Sequence, residues 1–297
     1  MEFDITGTPV KVGPFSWELS FNLTKLWDKI VNLYPGITEK NENQGNLIRK
    51  KIQGERMNTL WIQDYLKDEN GNRIVTPTGL YQLSNRPEDM INIGSTNTDV
   101  FGGLFSNFYL TGKWGMLNLM AGLDYKFGGK ILSYSNFYLM GNGLTKETLP
   151  YRDEANGGLK WTETLADKTT RERHDGVILP GVKADGSPND IVISAFQYYQ
   201  TFIHDNGTGW QPDMIKENSY IKFRELALHY TFPKQFSNKL KLQKLMVGLT
   251  ARNLFYLYKT IPNIDSESVL GTGNDSWVEN STFPSTRSYG FKVNISF

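Results

Sequence analysis

Asp68, Asn70 and Asn72 offer side-chain oxygens at alternate positions, as a calcium-binding loop does. Gly71 is misplaced for an EF-hand, and no bidentate glutamate follows at the required distance. Asn70-Gly71 is itself a strong hairpin-turn signal, so Asp68-Glu69-Asn70-Gly71-Asn72 reads as a turn. His174, His204 and His229 are scattered and lack metal-ligand spacing. Paired carboxylates such as Asp153-Glu154 fall in loop segments, with nothing beside them to raise either pKa. Gly141-Asn142-Gly143 and Gly271-Thr272-Gly273 are loop glycines, and neither a P-loop, a dinucleotide fingerprint nor a nucleophile elbow occurs. No metal, no cofactor and no enzymatic activity are therefore expected. Large aromatics are the stronger candidates for contact chemistry. Trp161, Tyr198, Tyr199, Trp210 and Trp277 fall in long segments between strand-like runs. There they serve either as exposed contact residues for a ligand or a partner, or to pack the loops against each other.

Composition narrows the class that must position these residues. Mean hydropathy is −0.44, and no stretch approaches the ~18 apolar residues of a spanning helix. That excludes a helical membrane protein but not a barrel, whose alternating strands average out on any hydropathy scale. Aromatics make up 13%, which suits a barrel with interfacial girdles. A net charge of +1 gives no electrostatic case for nucleic acid. The absence of cysteine removes disulfides and thiolate chemistry and leaves the compartment open. Met1-Glu2-Phe3-Asp4 shows neither a basic n-region nor an apolar h-region; if the chain belongs in an outer membrane, its export signal is expected on a longer precursor.

The C-terminal ten residues carry the plainest structural signal. Tyr289, Phe291, Val293, Ile295 and Phe297 alternate with Ser288, Gly290, Lys292, Asn294 and Ser296, so apolar and polar sets take opposite faces of one strand. This predicts a barrel-closing strand, with lipid on one side and water on the other. An aromatic C-terminal residue is also what outer-membrane assembly machinery is generally taken to read. Seven strands are predicted in all: Phe15 to Thr24, about Leu26 to Tyr34, about Gly103 to Thr111, Leu117 to Phe127, Tyr220 to Phe232, Leu245 to Phe255, and the terminal one. In the fifth, the apolar phase moves from Ile221 and Phe223 to Leu226, Leu228, Tyr230 and Phe232, which one extra residue near Arg224-Glu225 would reconcile as a β-bulge. Short connections near Lys25, across Gly112 to Gly115 and across Pro233 to Lys244 alternate with long ones from Tyr34 to about Val100, Gly128 to about Ser219 and Tyr256 to about Ser285. Transmembrane barrels have this asymmetry, with tight periplasmic turns and long external loops. Within the longest, Ile193, Phe196, Tyr199 and Ile203 recur at helical spacing and predict a short helix. An odd strand number does not close a single-chain bacterial barrel. The expected fold is all-β, the C-terminal portion of a large antiparallel transmembrane β-barrel with long extracellular loops, residues 1–297 being the C-terminal part of its barrel domain.

With these segments in place, ordered motifs along nearly the whole chain resemble the C-terminal half of the SusC/RagA family of TonB-dependent outer-membrane importers. Ser219-Tyr220-Ile221-Lys222-Phe223-Arg224-Glu225-Leu226 with His229-Tyr230-Thr231-Phe232-Pro233 looks like the family's strand "SYIKLRE…GYTFP". Ala251-Arg252-Asn253-Leu254-Phe255 with Pro262-Asn263-Ile264-Asp265-Ser266-Glu267 is similar to "RNLF…PGIDPE". Pro284-Ser285-Thr286-Arg287-Ser288-Tyr289-Gly290-Phe291 is similar to "PSTRSYGF" ahead of the closing strand. His229 departs from the pattern, standing where the family has glycine.

The resemblance implies uptake of large nutrients, oligosaccharides or oligopeptides, energised through the TonB complex and assisted by a SusD-like surface lipoprotein over the external loops. Lipid and lipopolysaccharide would surround the wall in a Gram-negative outer membrane. The family's plug domain, TonB box and early strands have no counterpart in these residues. Three alternatives stay open: a secreted soluble β-sandwich that binds glycans, a passive porin-like pore, and a remnant that never assembles.

Overall fold

The computed structural model describes residues 1–202, 209–271 and 276–297; Ile203, His204, Thr272 and Gly273 lie outside them. Seventeen strands are found among the described residues: β1 (Glu2–Val12), β2 (Phe15–Lys25), β3 (Glu39–Gln44), β4 (Leu47–Ile52), β5 (Thr59–Gln63), β6 (Met90–Ser95), β7 (Val100–Gly112), β8 (Gly115–Phe127), β9 (Lys130–Ser133), β10 (Leu159–Thr164), β11 (Thr170–Val177), β12 (Ile193–Ser194), β13 (Lys216–Glu217), β14 (Tyr220–Thr231), β15 (Lys244–Lys259), β16 (Val278–Glu279) and β17 (Ser288–Ser296). Three α-helices accompany them among the described residues: α1 (Tyr134–Gly141), α2 (Ala195–Gln200) and α3 (Lys234–Lys239).

The seven longest strands form one sheet in the order β1-β2-β7-β8-β14-β15-β17, antiparallel at every step, and this is the wall of a barrel. Its register sorts the side chains by face. One row across all seven strands reads Phe291, Leu249, Leu228, Leu119, Phe108, Trp17, Val10. The next row, on the opposite face, reads Lys292, Gly248, His229, Asn118, Tyr109, Ser16, Lys11. A one-residue slip at any pairing would mix the two rows, so the pattern itself fixes the register. Aromatics gather towards both ends of the apolar face. Trp114 stacks on Tyr230 at the short-turn end (6.1 Å between ring centroids), while Phe223 stacks on Phe255 and Phe21 on Tyr125 towards the other. From Phe223 to Tyr230 is ~23 Å of strand at ~3.3 Å per residue, close to the ~25 Å apolar band of outer-membrane barrels.

The seven-strand count is reached through a different set of strands from the expected one. Residues 26–34 do not form a strand. Their apolar residues fall in adjacent pairs instead of alternating, and the segment crosses to the first long loop, where Ile30 is buried and exchanges backbone hydrogen bonds with Gly54 and Glu55. The missing member is β1, whose alternation is interrupted by a bulge between Gly7 and Val10 and by Pro9. It turns into β2 at Gly13-Pro14, with Gly13 at φ +53°. Short and long connections still alternate, and the long ones all leave from the same end of the wall.

Those long connections are folded. The first carries the four-stranded sheet β3-β4-β5-β6, and the second carries the sheet β10-β11-β12. A third small sheet, β13-β9-β16, joins the second connection to the third. Leu47, Leu60 and Ile62 from the first, Leu132, Phe137, Trp210 and Met214 from the second, and Trp277 and Val278 from the third bury one another in a single core. All three connections thus make one cap.

Candidate functional site

The polar face of the wall meets the cap at the predicted bulge. Pairing of β14 with both neighbours shifts between Phe223 and Glu225: against β8 Arg224 is the extra residue, and against β15 Asn253 and Leu254 stand opposite it, so that Arg224 shares the polar face with Glu225. Opposite it in β15, Asn253 adopts a left-handed conformation (φ +54°), which asparagine tolerates better than most residues. Its Oδ1 accepts from Arg224 Nη1 at 2.7 Å, and its Nδ2 donates to the Thr286 carbonyl at 3.2 Å. The Arg224 guanidinium also donates to Asp124 and to Glu267, spanning from the next wall strand to the third long connection.

Around Glu267 the charges are shared among several partners. Its carboxylate accepts from Lys222 Nζ and from the Tyr220 hydroxyl at 3.1 Å. Lys222 is only 2% exposed, a burial that an ammonium tolerates when it is paired. It also donates to Ser285 Oγ at 2.8 Å and lies 4.8 Å from the Tyr256 ring centre. Asp265 accepts from the backbone amides of Ser285 (2.7 Å) and Glu267 (3.0 Å) and from the hydroxyls of Tyr256 and Ser285. Burial acts to raise the Asp265 carboxyl, but these hydrogen bonds outweigh it and hold the group at about 2. Burial likewise opposes ionisation of Glu267, and hydrogen bonds from Arg224 and Lys222 pull it below the usual carboxylate range. The network ties the third connection to the wall on both sides of the bulge.

Beside it opens a cleft of about 730 Å³, lined among others by Asn22, Phe101, Phe105, Asp124, Lys126 and Arg224. A Cβ added at Gly103 or Gly122 would come within 2.9 and 2.8 Å of the Phe105 ring, so the two glycines provide the space in which that ring lies along the wall.

The sequence-derived contact candidates do not converge on this cleft. Trp210 and Trp277 are buried in the shared core, Trp210 with its ring centre 4.6 Å from Phe137 and Trp277 beneath the Arg49 guanidinium at 5.5 Å. Tyr199 is buried on α2, its hydroxyl donating to the carbonyls of Glu147 and Pro150 at 3.2 Å; burial pushes it up to about 12. Tyr198 packs on Tyr199 and Phe202 and keeps a partial surface. Trp161, in β10, is half-buried and donates from Nε1 to Asp175 at 3.2 Å. The helix expected around Tyr199 is α2, capped by Ser194 in a capping box with Gln197. Asp68 Oδ1 accepts from the amides of Asn70 and Asn72, which is a turn, and no cluster suited to a metal ion occurs among the described residues. Tyr289, Phe291, Val293 and Ile295 line one exposed face of β17, the last strand of the wall, and Phe297 follows it, also exposed. Sequence reasoning gave no site role to Lys222, Asp265, Glu267, Phe101, Phe105 or Lys126, although Lys222, Asp265 and Glu267 stand within the motifs quoted above; further signals were the phase break at Arg224 and two aromatics on the wrong face of β7.

No family model matches the chain, and no curated protein matches it. Its fold is similar to a chain of the RagAB peptide importer in the closed-closed state, with a TM-score of 0.62 at 15% identity over 99% of this chain. It is similar to the same importer in the open-open state, and to a further structure of the RagAB peptide transporter, each with a TM-score of 0.60 at 16% identity over 100% of this chain. The chain spans 28–29% of the length of those chains. The likeness read from the motifs is thus matched by the fold along nearly every residue.

Proposed function

We propose that residues 1–297 are the C-terminal part of the barrel domain of an outer-membrane importer of the SusC/RagA type, which takes up large nutrients and oligopeptides in particular. The observation that carries this reading is the asymmetry of the wall. All three long connections leave one end and fold into a single cap, while the other end has only tight turns and the short α3 segment. A passive pore has no need of a cap built from three connections around a common core. In this reading the cap faces outwards and meets a SusD-like lipoprotein. Lipid and lipopolysaccharide contact the Phe291-to-Val10 face, and Tyr289 to Phe297 serve as closing strand and assembly signal. Energy arrives from the TonB complex through parts of the polypeptide outside these residues. Trp161 and Tyr198, which keep some surface, are the aromatics proposed to touch cargo or lipoprotein. The similar structures belong to a peptide importer, which favours peptide over glycan as the cargo.

The test is uptake of a fluorescent oligopeptide and a fluorescent oligosaccharide by cells producing the complete polypeptide, with and without an intact TonB system. TonB-dependent peptide entry is expected. Entry that persists without TonB would indicate a passive pore, and failure to reach the outer membrane would end the transport reading.

A further inference from the structure

Period two gives the polar face of β7 the odd-numbered residues, and two of them break the pattern. Phe101 and Phe105 face the side of the wall occupied elsewhere by serine, asparagine, lysine and glutamate, and they remain 42% and 39% exposed. Phe105 pairs in register with Gly122, and its ring lies over Gly122 and Gly103, so one side rests on the wall and the other faces the cleft. An aromatic ring laid flat over glycines is a prepared stacking surface. Phe101 pairs with Lys126, and Gly103 between the two phenylalanines pairs with Asp124. Asp124 is already engaged by Arg224, whereas the Lys126 side chain makes no hydrogen bond or ion pair among the described residues. Glu267, which also lines the cleft, is committed to Lys222 and Arg224. The cleft therefore offers apolar rings beside one uncommitted cation.

We propose that this cleft is a cargo subsite for the carboxylate-bearing, apolar end of an oligopeptide, with the carboxylate on Lys126 and the apolar side chain against Phe105 and Phe101. This rests on the importer reading and narrows its substrate class. A neutral oligosaccharide would leave Lys126 without a partner, and phenylalanine gives a sugar hydroxyl nothing to bond.

The probes are two fluorescent oligopeptides ending in leucine, identical except that one has a free C-terminal carboxylate and the other a carboxamide. Uptake is measured with the complete polypeptide in cells, at matched outer-membrane levels. Wild type is expected to favour the acid by about tenfold, the usual worth of a charge-assisted hydrogen bond. Lys126→Gln should abolish that preference by bringing uptake of the acid down to the level of the amide. Phe105→Ala should lower uptake of both peptides, and Phe105→Tyr should restore it. Equal uptake of acid and amide by wild type, or a preference that survives Lys126→Gln, would overturn the subsite while leaving the importer intact. Equal loss of both peptides in Lys126→Gln would also overturn it, because that result marks a structural contact. A wild type that imports neither peptide would overturn the subsite, and the importer reading falls with it only if the oligosaccharide is excluded as well.

Discussion

Arg224 joins three parts of the structure on the polar face. It bridges Asp124 on β8, Asn253 on β15 and Glu267 in the third connection, while itself a quarter exposed. Arg224→Met keeps the length of the side chain and leaves two carboxylates without their main partner. Loss of about 2–3 kcal/mol of local stability is expected, below the ~3–5 of a fully buried pair because water reaches these groups. Hydrogen exchange should show faster opening across residues 260–287, with the wall unchanged; uniform protection would mean that the network does not hold the connection. The same carboxylates set a pH response. Asp265 is held at about 2 and Glu267 is lowered, so each contributes stability that is fully present above its unfolded pKa, near 4, and is lost as pH falls through its folded value. Proteolysis of the third connection should thus be flat from neutral pH down to about 5 and should rise between about 4 and 2. Only part of this was legible in the sequence. The phase break exposed the bulge, but Glu267 lies 43 positions beyond Arg224 in a segment without periodicity, where nothing local marks a partner.

Among the elements, the wall strands were legible wherever alternation ran unbroken. β2, β7, β8, β15 and β17 fall near their predicted positions because period two is a direct consequence of the pleat. β1 escaped notice because a bulge and Pro9 split its apolar residues into Phe3 and Ile5 on one phase and Val10 and Val12 on the other. Leu26 to Tyr34 misled through apolar content without alternation, and its hydrogen bonds go to the first connection instead of a neighbouring wall strand. The face assignment makes a direct prediction. Leu226 lies on the apolar face between the two aromatic groups, whereas Asn294 lies on the polar face. Leu226→Lys should cost about 2–4 kcal/mol in lipid, as a lysine at the depth of the hydrocarbon does, and Asn294→Lys should cost almost nothing. Urea unfolding of the complete polypeptide in lipid vesicles measures both, and equal costs would mean that the two faces do not see different solvents.

At the scale of the whole molecule, three connections distant in sequence depend on one core. The sequence disclosed their length and their aromatics but not their mutual burial, because a core assembled from residues such as Leu60, Trp210 and Trp277 leaves no local period to read. Trp210 sits near the centre of that core, its ring 4.9 Å from Tyr134 and 4.6 Å from Phe137, with Asn46 of the first connection bonded to its backbone at 2.7 Å on both the amide and the carbonyl. Removing the indole leaves a cavity that no single connection can close by itself, and Trp210→Ala should cost about 3–5 kcal/mol. If the cap is one cooperative unit, that loss is shared. Limited proteolysis of the variant should cut within residues 26–99, 128–219 and 260–287 at similar rates, while the wall keeps the heat-modifiable migration of a folded barrel. Cleavage confined to 128–219 would mean three independent loops that merely touch. Cooperative cleavage would mean that anything binding one connection also stabilises the other two, which is what a lid partner resting on any part of the cap would need in order to influence the Phe105 cleft beneath it.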